Sequence, residues 1–333
     1  MSTHGCGPWA TTAQRRWRSR SATSSTPDAA STRASMSDDL PYVIQPPADA
    51  GLAAAAAAEA AARWGLPSPQ HLRTGMNALF ATGEEVILRV CHPTAPASQA
   101  LWLADRLRER GLRVPRFVRP AALEAHGLTV FAVERLHPVG EIDWREVGSM
   151  IRSVHEWPAF EVRGRYPLPR CDSFPWWDAA AALTDVSDLL DDPARAGLEA
   201  AIGQHGGWRQ RVAARVVCHG DVHPGNVLQT ADGAVLLDWD LTCHGPAAWD
   251  HATVMTWPRR WGGEPTMYTR FAEGYGASLE GDALAESLAT MRNVVATLMR
   301  VRAGRTDPAA AAEAQRRLRY WRGDTDAPQW TAQ

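Results

Sequence analysis

Between Val216 and Asp250 the chain has little conformational choice. The apolar run Val216-Val217-Cys218 leads into His219-Gly220-Asp221, and Gly220, Pro224 and Gly225 then force a loop. Asn226 to Gln229 reads as a strand, Asp232-Gly233 as a hairpin turn, and Ala234 to Leu237 as the returning strand. A hairpin at this place carries the chain back on itself. Asp238 then returns beside Asn226, and both stand near Asp221.

Two carboxylates and an amide gathered in this way suit phosphoryl transfer. The attacking hydroxyl must be held in line with a phosphate, which a carboxylate does by accepting its proton. The phosphates need a hard cation, and Mg²⁺ prefers carboxylate and amide oxygens. Asp221 fits the first role, and Asn226 with Asp238 fits the second. The Asp-x₄-Asn spacing is that of the protein-kinase catalytic loop, here with His-Gly-Asp in place of His-Arg-Asp.

With its flanks, the segment resembles the aminoglycoside phosphotransferase family of protein-kinase-like small-molecule kinases. His219 to Leu228 resembles the family's catalytic motif, Leu237-Asp238-Trp239-Asp240 its metal-binding turn, and Gly245 to Asp250 the segment that follows. The resemblance covers residues 50 to about 305. It implies that Asp221 is the catalytic base, that Asn226 and Asp238 hold Mg²⁺ on ATP (or GTP), that Asp250 braces the catalytic loop, and that His219 has a supporting place. Asp240 reads as either a second carboxylate near the metal or a cap. Gly75-Met76-Asn77 falls where the nucleotide loop belongs, which makes Gly75 and Asn77 nucleotide contacts. Val86 to Val90 resembles the strand that carries the phosphate-binding cation, here Arg89. Phe131 to Leu136 resembles the hinge, with Glu134 and Leu136 presenting backbone to the base. One position departs from the family pattern. Gln99 stands where a glutamate usually holds the cation; it can accept a hydrogen bond from Arg89 but supplies no charge, so Arg89 is expected to be held less firmly or paired elsewhere.

The surrounding pattern predicts an α+β, two-lobe fold. Residues 39–137 read as a small, mostly antiparallel β-rich lobe for nucleotide. Helix is expected at Leu52–Trp64 and Gln99–Arg110, and strands at His71–Arg73, Ala78–Ala81, Val86–Val90, Val114–Val118 and Leu128–Leu136. Residues 138–333 read as a larger helical lobe for catalysis and acceptor binding. Its expected helices are Trp144–Glu156, Ala179–Leu190, Pro193–Gly203, Met267–Tyr275, Asp282–Val301 and Pro308–Arg322. Residues 1–38 are rich in Ser, Thr, Ala and Arg without apolar periodicity. They read as a disordered tail, as a transit peptide, or as a stretch upstream of a natural start at Met36.

Composition narrows the function. A net charge of −2 lacks the basic excess of a nucleic-acid binder, and no apolar run reaches membrane-spanning length. The five cysteines are odd in number and widely spaced, which argues for a reducing cytoplasm rather than a disulfide framework. The chain has no lysine, so every cationic site is an arginine, planar and permanently charged.

The expected activity is therefore transfer of a nucleotide γ-phosphate to a hydroxyl of a small acceptor, with no obligate protein partner. By resemblance the acceptor is an antibiotic, cationic in the aminoglycoside case. The alternative is a metabolic kinase for a sugar, a choline-like alcohol or an amino-acid derivative. Asp172, Asp178 and Asp282 are candidates to meet a cationic acceptor or else a solvated face, and Trp176, Trp177, Trp257 and Trp261 are candidates to stack on it. Two remoter readings are a metal-dependent hydrolase built on His219 and His223 and a non-catalytic kinase-like module. Deleting residues 1–35 is expected to leave the thermal midpoint unchanged. A calorimetric scan showing a loss of several degrees would mean that the tail packs on the domain.

Overall fold

The computed structural model describes residues 50–92 and 94–332. The expectations for residues 1–38 lie outside the described residues. The chain enters through α1 (Ala50–Trp64), whose small side chains let it lie close on a sheet: Ala53, Ala56, Ala57, Ala60 and Ala61 are all buried. The sheet is built from β1 (Gln70–Thr74), β2 (Ala78–Thr82), β3 (Val86–Cys91), β4 (Leu123–Ala125) and β5 (Leu128–Glu134), with α2 (Ala97–Glu109) between β3 and β4. Strand order is β1-β2-β3-β5-β4 and all pairs are antiparallel.

Strand alternation then sorts β3. Leu88 and Val90 point into the α1 core, whereas Ile87 and Arg89 face the opposite side. Arg89 pairs with Leu79 on one neighbour and Phe131 on the other, which fixes it in the middle of the sheet.

One expected strand is absent. Residues 114–118 run beside β5 with a single bridge, Phe117 to Val133, flanked by the Val118 N–H bond to Ala132 O and the Glu134 N–H bond to Arg116 O. Pro115 has no N–H, and β4 pairs along the other end of β5, so the edge available to this segment is short.

Beyond β5 lie α3 (Trp144–His155), the single turn α4 (Ala159–Val162), α5 (Ala179–Asp185) and α6 (Asp192–His205). The next elements are β6 (Val216–Cys218), β7 (Val227–Thr230), β8 (Gly233–Leu236) and β9 (Cys243–Gly245). Four helices finish the described chain: α7 (Ala248–Arg260), α8 (Met267–Tyr275), α9 (Ala283–Ala303) and α10 (Pro308–Trp321). Asp143, Asp178, Asp191, Asp282 and Asp307 each cap a helix with a side-chain oxygen, which explains why these starts are legible.

Other features also depart from the sequence reading, β4 and α4 among them. α5 ends at Asp185, and a separate 3₁₀ turn follows over Ser187–Leu189. The β7–β8 turn is Ala231-Asp232, one residue earlier than expected, with Gly233 opening β8 at φ 118°. α7 and β9 are not foreseen. α7 is buried on every side from Ala248 to Thr256 and contains Pro258, so it shows neither amphipathic period nor an uninterrupted helical pattern.

β6 and β9 pair antiparallel, Val216 with Gly245 and Cys218 with Cys243. They close the base of the excursion that carries residues 219–242. Cys91, Cys171, Cys218 and Cys243 are buried free thiols. Among the described residues no helix is long and apolar enough to cross a membrane.

α3 and α8 cross with backbones almost touching. A Cβ on Gly148 would lie 2.0 Å from Phe271 O, and one on Gly274 1.7 Å from Arg145 O. Gly148→Ala removes a poor helix former but overpacks this crossing, so a net destabilisation of about 2 kcal/mol is expected. Urea unfolding measures it, and a gain in stability would show that the helices do not meet this closely.

Candidate active site

The loop after β6 is built around a buried carboxylate. Asp250, fully buried on α7, accepts hydrogen bonds from the backbone N–H of His219 (2.9 Å) and Gly220 (2.8 Å) and faces His155 Nε2 at 3.0 Å. Gly220 takes φ +95°, and a Cβ there would sit 2.0 Å from Leu241 O, so only glycine allows the turn. His219 is also buried, with Nε2 donating to Leu237 O (2.9 Å) and Nδ1 accepting from the Asp221 N–H (3.3 Å). With both nitrogens engaged by main chain, His219 and His223 do not form a ligand pair of the kind the hydrolase reading requires.

Asp221 emerges from this loop between two cationic or donor groups. Arg292 Nη2 donates to Oδ1 at 2.7 Å, and His223 Nε2 lies 3.3 Å from Oδ2. Burial would raise the Asp221 carboxyl, but His223, then Arg292 and His219, hold it well below the usual range. Asn226 donates from Nδ2 to Asp221 O (3.0 Å) and Oδ2 (3.2 Å), which leaves its amide oxygen as the atom able to ligate a cation. The hairpin brings the chain back as expected: Leu237 N–H bonds Asn226 O at 2.9 Å, and Asp238 follows.

Asp238 adopts φ 54°, ψ 75°, left-handed and costly for a residue with a side chain. Its buried Oδ1 has no hydrogen-bond partner and lies 3.8 Å from Arg89 Nη2. Arg89 is instead ion-paired with Asp240 and donates to Asn77 Oδ1 at 3.3 Å. Burial, with Asp238 adding to it, pushes Asp240 up to about 6 against the pull of Arg89. An orphaned carboxylate oxygen beside an amide oxygen and a second carboxylate suits a hard divalent cation.

Arg89 is paired elsewhere than Gln99, whose buried Oε1 has no hydrogen-bond partner: Asp240 occupies the place beside Arg89. A carboxylate can reach Arg89 from the metal-binding turn, so the helix need not supply one. Gly75 lies in the β1–β2 turn with its N–H on Asn77 O, away from the cavity walls, while Met76 and Asn77 line them.

Two cavities meet at this point. One, about 420 Å³, lies under the sheet between Ile87, Arg89 and Val133 above and Leu228 and Asn226 below, with Glu134 and Leu136 at its edge. The other, about 540 Å³, lies among the helices and contains Asp221, Arg292 and the four singled-out tryptophans Trp176, Trp177, Trp257 and Trp261. Asn77, Asp238 and Asp240 line both.

Asp172, Asp178 and Asp282 line neither cavity: Asp172 is paired with Arg170 and Arg209, and the other two cap helices. Sequence reasoning misses Arg292 and His155, which touch Asp221 and Asp250 from distant helices and sit in no local motif.

The His155–Asp250 pair gives a pH dependence. Burial would lower His155, but its bonds to Asp250 and beside Cys218 raise it to about 9. A raised histidine stabilises fully below its unfolded value of about 6.5 and loses that contribution as pH rises through about 9. Asp250 is shifted down, so its share is lost only in acid. Thermal midpoints should therefore fall between pH 7.5 and 10. His155→Gln should lose about 3 kcal/mol at pH 7 and show a flatter alkaline limb. An unchanged alkaline limb would mean that the imidazole is not charged.

The model of the phosphotransferase enzyme family matches residues 77–288. A curated aminoglycoside 3'-phosphotransferase from Streptomyces ribosidificus is 28% identical over 226 residues, which is 60% of this chain and 82% of that protein. Among solved structures, a spectinomycin phosphotransferase in complex with ADP and spectinomycin aligns with TM-score 0.58 at 14% identity, covering 78% of this chain and 90% of its own. An amicoumacin kinase in complex with AMP-PNP and Ca²⁺ aligns with TM-score 0.57 at 13% identity, covering 77% and 88%. A choline/ethanolamine kinase family protein from Mesorhizobium loti aligns with TM-score 0.53 at 17% identity, covering 78% and 88%. These likenesses show the two-lobe, protein-kinase-like α+β fold. The family match spans well over half of the residues, so the chain belongs to the phosphotransferase enzyme family and is a small-molecule kinase that phosphorylates a hydroxyl group.

Proposed function

We propose that the protein transfers the γ-phosphate of ATP (or GTP) to an alcohol of a small acceptor, with Asp221 as the base and Asn226 and Asp238 as the residues that would hold Mg²⁺. The observation that carries this reading is the junction of the two cavities. Nucleotide placed under the sheet directs its terminal phosphate toward Asp238 and Asp240, and an acceptor among the helices meets it beside Asp221. When bound, Mg²⁺ draws charge from the phosphate oxygens. Arg89 would turn from Asp240 to the phosphates, and Glu134 and Leu136 would border the base. The proposed lobe boundary near residue 137 falls just after this hinge.

Asp221 is held far below its ordinary pKa, so it is a weak base. That suits a loose phosphoryl transition state, in which the nucleophile gives up its proton late and orientation matters most. Arg292 is proposed as a positioning residue that fixes which carboxylate oxygen faces the acceptor. Four buried thiols suit a reducing cytoplasm. An antibiotic acceptor is supported by the curated relative's name alone.

Base and metal ligand should fail differently. Asp221→Asn should retain Mg²⁺-dependent ATP binding by calorimetry while turnover falls by about 10² or more. Asp238→Asn should weaken Mg²⁺-dependent nucleotide binding together with turnover. Near-normal turnover in Asp221→Asn rejects that base, and unaltered Mg²⁺-ATP binding in Asp238→Asn rejects that ligand.

A further inference from the structure

The helical cavity has walls unsuited to a polycation. Apart from Asp221, Asp238 and Asp240 at the reacting end, no carboxylate among the described residues lines it. Those three already face cations: Arg292 on Asp221, and Arg89 on Asp240 and near Asp238. α9 presents Arg292, Val295, Ala296, Met299, Arg300 and Ala303 to the cavity, so one wall is an apolar stripe bounded by guanidinium groups.

The other walls are flat aromatic surfaces. Trp176 stacks on Phe174 with ring centres 4.8 Å apart and an interplanar angle of 8°. Trp257 stacks on His223 (5.4 Å, 10°) and on Trp261 (5.7 Å, 28°). Trp176, Trp257 and Trp261 are only half-buried. At the rim, the apolar side chains of Met76 and Met299 are 51% and 40% exposed.

We infer that the acceptor is a hydroxylated small molecule with a planar, apolar ring system and no dense positive charge; this rests on the kinase reading and names the class of molecule the same site takes. Flat rings stack on flat rings and bury apolar area, while carboxylates that already face cations offer a polycation little to pair with. A compact quaternary ammonium would find aromatic faces attractive. It would leave most of a 540 Å³ cavity unfilled. That volume is ordinary for a drug-sized ligand.

The test is calorimetric titration of the full chain carrying Mg²⁺ and AMP-PNP, with three probes. They are 4-nitrophenyl β-glucoside (neutral, aromatic, with alcohol groups), kanamycin (polycationic) and choline. Labelled ATP follows transfer to each. The aryl glucoside should bind at least tenfold more tightly than the other two and accept phosphate. Trp176→Leu removes a stacking face and Met299→Glu places a carboxylate on the exposed rim. Each should weaken aryl binding about tenfold or more and leave Mg²⁺-nucleotide binding intact, which also reports correct folding. Tighter binding of kanamycin or choline overturns the inference. So does aryl binding that neither variant alters, or no aryl binding at all. Failure of the parent to bind Mg²⁺-nucleotide would instead defeat the kinase reading, whatever the acceptor results.

Discussion

One buried carboxylate holds the catalytic region together. Asp250 is fully buried, and a lone charge there would be strongly unfavourable. It is compensated by the amides of His219 and Gly220 and by a protonated His155. The same bonds that neutralise Asp250 fix the conformation of the loop from which Asp221 projects. Gly220, with Leu241 O against the place where a side chain would be, makes that conformation the one the loop can take. The position of Asp221 is thus set from beneath, by α3 and α7, before any substrate is present.

Around that loop, charge is arranged in two opposed groups. Asp221 lies between Arg292 and His223, and Asp238 and Asp240 lie against Arg89. Asp238 and Asp240 share one cation, Asp238 Oδ1 has no hydrogen-bond donor, and burial pushes Asp240 up to about 6. The second group carries more negative charge than Arg89 alone can balance. A divalent ion and a phosphate would complete it in the proposed reading, so that the site is organised when empty and still gains on binding. The larger cavity follows another logic: its three carboxylates sit at one end, and the rest is tryptophan and the stripe of α9 with its arginines.

Much of this is legible in the sequence because it is local. Gly220, Pro224 and Gly225, followed by a short hairpin, turn the chain so that Asp221, Asn226 and Asp238 come together, and the structure brings them within reach. Helix starts marked by a capping aspartate are equally plain. The failures are of a different kind. Residues 114–118 carry strand-forming side chains, but strand pairing depends on a free sheet edge, and β4 occupies half of it. α7 lacks a polar face because the surrounding helices bury it all round.

Partners drawn from distant elements show the limit best. Gln99 aligns with a position that usually holds the strand cation, yet Arg89 takes Asp240, a partner 151 residues further along. Arg292 reaches Asp221 from α9, and His155 reaches Asp250 from α3. The sequence by itself determined the family, the two-lobe fold and the local cluster of reacting groups, since dihedral restriction and short-range turns depend only on neighbouring residues. Tertiary structure alone decided which cation faces which carboxylate, and that tryptophans and one face of α9 line the larger cavity. Side chains far apart in the chain share an environment only once the helices have packed.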